Sequence, residues 1–310
     1  MSANVETMFY VREVPWHGLG TRVEKAPTSK DAIIMAGLNW EVKPRNIYTS
    51  DGTEVEGYKA NIRTSDEKIL GVVTDKYQIV QNEEAFAFTD NLLSEGITYE
   101  TAGSLQGGKR TWILAKMPGN IKAADDEITP YMVFSNSFDG SSSIKVAMTP
   151  IRVVCQNTLN LALSTAKRSW ACKHMGIIQS KMEEAGNTLL LADRYLQELK
   201  SSIEQISLKK ISDGRFKEYM DTLFPISEDM TEMQKKNSRI LREQLSIRYF
   251  DAPDLEGMDL NGYRFINAVS DFATHASPLR KGKNYRENLF FKTVEGNAMI
   301  DKAYAMIKVA

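Results

Sequence analysis

Apolar and polar residues alternate in short runs over the first 150 positions. Trp40 to Thr49, Val55 to Thr64 and Ile69 to Val73 are rich in β-branched and aromatic residues, with turn chemistry between them at Ser50-Asp51-Gly52 and Ser65-Asp66. The pattern predicts a small antiparallel meander. Asn82 then reads as a helix N-cap, with Glu83 and Glu84 in the positive first turn and Ala85, Phe88 and Leu92 on one face before Gly96 ends the helix. Strands resume at Ile97 to Ala102, Thr111 to Lys116, Tyr131 to Phe138 and Ser143 to Thr149, with Asp125-Asp126-Glu127 as a solvated loop between strands. Asp139-Gly140 joins the last two as a hairpin, and there Ile144, Val146 and Met148 share one face while Lys145 takes the other.

After Pro150 the period becomes helical, and the rest of the chain reads as helix throughout. Asn157 or Thr158 caps a helix carrying Leu159, Leu161, Ala162 and Leu163. Ile178, Met182, Ala185, Leu189, Ala192, Leu196, Leu199, Ile203 and Ile206 then step by fours and threes, the seam of a long helix. Two partners for that seam stay open. One is a second subunit; the other is a later helix of the same chain containing Met233, Ile240, Leu241 and Leu245, which would close an intramolecular hairpin. Further helices are expected around Asn261 to Ala273 and Glu287 to Ile307. The expected fold class is therefore α+β: a mixed β/α core domain over residues 1–175 with helices packed on antiparallel sheet, then an α-helical region over 176–310 built on the heptad-patterned helix.

Composition narrows the functional classes. With 310 residues, 42% of them hydrophobic and 25% charged, the chain can bury one large core or two smaller ones. No apolar run approaches the roughly 18 residues that cross a bilayer, and Glu6 interrupts any signal sequence, so no membrane partner is expected and the location expected is the cytoplasm of the host bacterial cell. Cys155 and Cys172 read as reduced thiols. A net charge of −1 argues against coating nucleic acid by bulk charge, yet the charge is unevenly spread. Between Gly140 and Met182 there is no Asp or Glu, while Lys145, Arg152, Lys167, Arg168, Lys173 and Lys181 are all basic, with His174 beside them. Arg280, Lys281, Lys283, Arg286 and Lys292 form a second excess against Glu287 alone. Each is a candidate phosphate-binding surface, although charge alone favours a solvated exterior balanced by acids from elsewhere in the fold.

Recognisable catalytic chemistry is missing. Gly103-Ser104-Leu105-Gln106-Gly107-Gly108-Lys109-Arg110 nearly spells a phosphate loop, but Thr111-Trp112-Ile113-Leu114-Ala115 after it reads as a strand. A hairpin turn presenting Lys109 and Arg110 fits better. His17, His174 and His275 complete no zinc spacing, and no nucleophile, base and stabilising donor stand in a familiar order, so neither metal, cofactor nor enzymatic activity is expected. In Trp16-His17-Gly18-Leu19-Gly20 the glycines permit a tight turn that Trp16 anchors, a structural clasp that is the simpler reading beside direct ligand contact. In Thr149-Pro150-Ile151-Arg152-Val153-Val154-Cys155-Gln156-Asn157-Thr158-Leu159, Arg152 precedes Gln156 and Asn157 at a helix start. That corner either meets an anion or is capped by Asn157 with Arg152 paired to a carboxylate. Trp112, Tyr131, Phe138 and Trp170 lie nearby in sequence order as base-stacking groups if exposed, or as core.

The last two motifs, with Gly262-Tyr263-Arg264-Phe265-Ile266-Asn267-Ala268-Val269-Ser270-Asp271-Phe272 and His275, resemble a phage- and plasmid-encoded family described as phage/plasmid-like protein with a domain of unknown function. The order of helix, strands, hairpin and helix between Asn82 and Leu163 also looks like the arrangement in ring-forming single-strand annealing proteins such as phage Red beta and Erf. The family resemblance leaves activity open; the annealing-protein resemblance, together with the acid-free basic segment, implies a non-catalytic nucleic-acid-binding factor of replication or recombination, a homo-oligomer with single-stranded DNA as partner. The alternative is a factor that binds or blocks a host protein.

Overall fold

The alternating runs pair into two sheets. The computed structural model describes residues 5–11, 20–25, 27–92, 98–117, 119–152, 169–189, 192–276, 278–279 and 297–309. Strands β1 (Val5–Val11) and β2 (Thr21–Val23) precede helix α1 (Ser29–Met35). Strands β3 (Val42–Tyr48), β4 (Glu54–Arg63) and β5 (Lys68–Thr74) follow, then α2 (Asn82–Leu92). Next come β6 (Thr98–Leu105), β7 (Arg110–Lys116), β8 (Ile121–Ala123), β9 (Asp126–Ser137), β10 (Ile144–Arg152) and β11 (Ser169–Cys172). Helices α3 (Ile178–Leu189), α4 (Ala192–Ser207), α5 (Asp213–Leu223), α6 (Glu232–Asp251), α7 (Gly262–His275) and α8 (Ala298–Val309) complete the described elements. The class is α+β, as expected.

The larger sheet runs β11-β10-β9-β7-β6-β1-β2 with β8 paired to β9, and the smaller runs β3-β4-β5. By its internal packing the chain forms two compact units, one of Met1–Pro118, Pro130–Met148 and Lys167–Ala192, the other of Gly119–Thr129, Thr149–Ala166 and Asp193–Ala310.

In the first unit, one face of the large sheet carries Phe9, Ala102, Ile113, Met132, Phe134, Ile144, Val146 and Trp170, packed with Ala32 and Ala36 of α1, Phe86 of α2 and Met182 and Ala185 of α3. Each fully buried large side chain contributes roughly 1.5–3 kcal/mol. The small sheet joins this unit through Phe138, which packs with Val42 and Leu70 and whose carbonyl accepts from Asn61 Nδ2 at 2.8 Å. Between β5 and α2, the loop 75–81 is fixed by side chains bonded to backbone. Tyr77 Oη donates to the Ser137 carbonyl at 2.5 Å, Asn136 Nδ2 to Val80 at 2.9 Å, and Gln81 exchanges two bonds with the Val42 backbone.

Several local expectations are corrected here. Asn82 does not cap α2; it is buried and donates to the Leu38 carbonyl at 3.0 Å, while Glu84 reaches back to the Gln81 N–H at 2.8 Å. Asp125 sits at φ +63° in the β8–β9 turn and Asp126 and Glu127 belong to β9, so this stretch is hairpin. The helical reading after Pro150 misses β11, which pairs antiparallel with β10.

In the second unit, α7 is the central helix, buried at every residue from Gly262 to Ser270. A Cβ on Gly262 would lie 2.7 Å from both the Ile206 carbonyl oxygen and Ile307 Cγ2, so glycine lets α7 meet the end of α4 and α8 closely. The heptad seam is carried by two helices, α3 in the first unit and α4 in the second. Leu196, Leu199, Ile203 and Ile206 are buried, and the far end of α4 closes on α7 and α8. Met233, expected in a closing face, is 62% exposed at the start of α6.

Arg264 of α7 is buried too. It donates through Nε to Tyr249, through Nη2 to Phe250 and through Nη1 to Leu255 and Met258, all main-chain carbonyls at or just beyond the end of α6, at 2.5–2.9 Å. The last carbonyls of a helix lack intrahelical partners and carry its negative dipole end, so a guanidinium there is compensated without a carboxylate.

Candidate functional site

The acid-free segment begins at a turn built by its own side chains. Asp139 accepts from the Ser141 N–H at 2.9 Å and from its hydroxyl, Gly140 takes φ +73°, and Ser137 Oγ bonds Ser142 in both directions. This starts β10 with Ile144 inward. Ile144 then stands opposite Cys172, Lys145 opposite Ala171, Val146 opposite Trp170 and Ala147 opposite Ser169. Because directly opposed residues share a face, Ile144, Val146, Trp170 and Cys172 enter the core while Lys145 and Ala171 lie on the other side. Lys173 follows at once, exposed.

Arg110 belongs to the same neighbourhood, since its Nε and Nη2 hold Ser141 Oγ at 3.2 and 3.1 Å. Lys109 precedes it in a turn whose Gln106, Gly107 and Gly108 all have positive φ, and the strand that follows rules out a phosphate loop opening a helix. Lys109, Arg110, Lys145 and Lys173 are thus on one sheet, with Arg110 reaching to the β9–β10 turn. Arg152 closes β10 in the other unit. Lys167, Arg168, Arg280, Lys281, Lys283, Gln156 and Asn157 lie outside the described residues, as do Trp16, His17 and Gly18. Gly20 is described; it has φ +102°, and a Cβ there would meet Met8 Cγ at 2.5 Å, which explains the second glycine of its motif.

The aromatic groups resolve towards core. Trp112, Phe138 and Trp170 are buried and Tyr131 is half-buried, so the first three offer no stacking surface. Among the described residues, the markedly exposed tyrosines are Tyr48 and Tyr58 on the small sheet.

Sequence reasoning missed two clusters. In the first, Arg63 is buried at the end of β4 and forms paired bonds to Glu6, at 2.8 and 2.9 Å, and to Asp66, at 2.8 and 2.6 Å. Its guanidinium carbon lies 5.3 Å from the Trp40 ring centre. The hydrogen bond from Arg63 holds the Glu6 carboxyl below its usual range despite partial burial, and the same guanidinium lowers Asp66 to about 2. In the second cluster, His174 is buried, stacks on Tyr77 at 4.4 Å and 13°, and binds Gln78. No periodicity signals either, because each joins segments far apart in the chain. Cys172-Lys173-His174 offers two ligand types only two residues apart, which completes no zinc spacing. Burial raises the Cys172 thiol, and among the described residues no three of His, Cys, Asp and Glu gather to hold an ion.

This is an α+β chain whose described polar clusters are structural joints around a basic sheet edge. Residues 69–291 match the family described as Domain of unknown function (DUF932), and the chain belongs to that family. No curated protein matches it, and no solved structure does. Among the described residues no helix is long and apolar enough to cross a membrane.

Proposed function

We propose that this is a non-catalytic nucleic-acid-binding protein, a phage- or plasmid-encoded accessory of single-strand annealing, recombination or replication. The observation that supports it best is the β10–β11 edge, where Lys145 and Lys173 flank small residues inside a stretch without a single carboxylate from Gly140 to Met182. The neighbouring strands β6-β7-β9-β10 are the part of the annealing-like arrangement that the described residues carry; the helix expected after them lies outside those residues. With Trp112, Phe138 and Trp170 in the core, this edge would follow phosphates rather than stack bases. Binding should then be salt-sensitive and nearly sequence-independent.

Fluorescence anisotropy with a labelled single-stranded oligonucleotide and its duplex, at low and moderate salt, tests this. Binding that weakens steeply with salt is expected, and Lys145→Ala with Lys173→Ala should reduce the salt slope by about two. Failure to bind at low salt would reject the reading.

One observation favours a second reading, a factor that binds a host protein. On the small sheet, Tyr58, Ala60 and Ile62 stand opposite Thr74, Val72 and Ile69. Tyr58, Ile69 and Val72 are 50%, 60% and 57% exposed on that common face. Capture of a defined host protein that Val72→Glu abolishes, without nucleic-acid binding, would establish this alternative.

A further inference from the structure

His174 follows β11 and faces the loop 75–81 across 96 positions of sequence. Two bonds close this joint in opposite directions. The Gln78 N–H donates to the His174 carbonyl at 2.8 Å, and His174 Nδ1 lies 2.9 Å from the Gln78 carbonyl. A carbonyl only accepts, so the neutral ring carries its proton on Nδ1 and leaves a lone pair on Nε2. Nε2 is buried and, among the described residues, has no hydrogen-bond partner. The ring's face is taken by Tyr77, itself tied to β9 through the Ser137 carbonyl.

We propose that His174 is an acid-releasable latch: as a neutral ring it fastens the loop 75–81 to the β11–α3 junction, and a second proton on that ring opens the joint. The added proton would sit on Nε2, a buried nitrogen facing no acceptor, and charging a group there is unfavourable. The charged and titratable groups of the surrounding elements do not relieve this. The loop supplies Asp75, Lys76 and Tyr77, the β9–β10 turn Asp139, the β11 side Cys172 and Lys173, and α3 Lys181, Glu183 and Glu184. Asp139 acts on Tyr77, Lys181 donates to the Met175 carbonyl at 2.5 Å, and Lys181 and Glu184 act on Cys172. Tyr77's π face would favour an imidazolium, but it supplies no acceptor for the new N–H. Burial holds the ring below its ordinary value near 6.5, against a smaller opposing effect of the Gln78 carbonyl. The joint is therefore fully stabilised above that ordinary value and loses stability as pH falls below it, because the open state binds the proton more readily.

Amide hydrogen exchange of the full chain between about pH 7.5 and pH 5 tests the latch, with the Gln78 N–H as reporter. Its protection factor should fall by up to about tenfold per pH unit through the acid range, while amides in β7 and β9 keep theirs. His174→Asn retains a donor at the δ position and cannot ionise, so it should make Gln78 protection independent of pH. Protection that stays flat in the unaltered protein, or the same slope in His174→Asn, would overturn the proposal. The unaltered protein gives a second measurement, since it has only three histidines. A His174 ring signal titrating at or above the ordinary histidine range also overturns the latch, and one titrating below it supports it.

Discussion

Arg63 and Arg264 are both buried, one in each unit, and they are compensated by different means. Arg63 is gripped by two carboxylates, Glu6 and Asp66, whose side chains are 25% and 44% exposed. Arg264 has four main-chain carbonyls, two in the last turn of α6 and two just beyond it, and no acid bonded to it among the described residues. Carboxylate countercharges titrate; backbone carbonyls do not. The first joint should therefore respond to acid and the second should not, while the second should be the more damaging to break.

The largest effect is expected for Arg264→Met, about 4 kcal/mol in urea unfolding, because four carbonyls lose their donors in a buried place. A loss under about 1 kcal/mol would mean that the helix end is satisfied another way. Arg63→Met should remove about 2 kcal/mol, since its carboxylates can turn to water. It should also change the acid response. Glu6 and Asp66 are held below their ordinary values of 4.5 and 3.8, so their contribution is present above those values and is lost as pH falls towards about 2. Fluorescence of Trp40, which lies beneath Arg63, should follow that loss, and Arg63→Met should flatten it.

Two smaller changes sharpen the contrast at helix ends. Thr231 forms a capping box with Gln234 at the start of α6, and Thr231→Ala should lower the unfolding free energy by about 1 kcal/mol. Lys209 caps the end of α8 through the carbonyls of Ile307 and Lys308 at 2.9 and 3.0 Å. It plays the part of Arg264 at a wetter site, and Lys209→Met should cost only about 0.5 kcal/mol by thermal unfolding. If it cost as much as Arg264→Met, burial would not be what separates the two cations.

Short-range chemistry in the sequence anticipated much of the fold. The strands from Val42 to Thr74, the Asp139-Gly140 hairpin and the helix starting behind Asn261 follow from alternation, turn residues and capping, all readable within a few positions. What escaped depends on distant partners. β11 is a short run beside basic residues and becomes a strand only against β10. Asn82 has the composition of a cap, but the Leu38 carbonyl claims its amide. Arg264 stands in a helical motif, and nothing within a few positions of it shows that it is a buried clasp of its unit. The candidate site was legible as a charge pattern in Lys145 and Lys173, whereas the burial of Trp112 and Trp170 was settled by pairing across the sheet.

The chain passes between its two units five times, after residues 118, 129, 148, 166 and 192. On the ribosome, this means that the first unit stays open until Ala192 is made and the second waits longer, for the residues beyond it. The first lacks α3 until Ala192 has emerged, by which time Gly119–Thr129 and Thr149–Ala166 have long been synthesised without the helices that complete their own unit. Translation halted anywhere between Lys167 and Ala192 leaves both halves open at once, with apolar sheet unprotected. A nascent protein of this design depends on speed of elongation, or on a chaperone at the exit tunnel, more than one whose domains follow each other along the message.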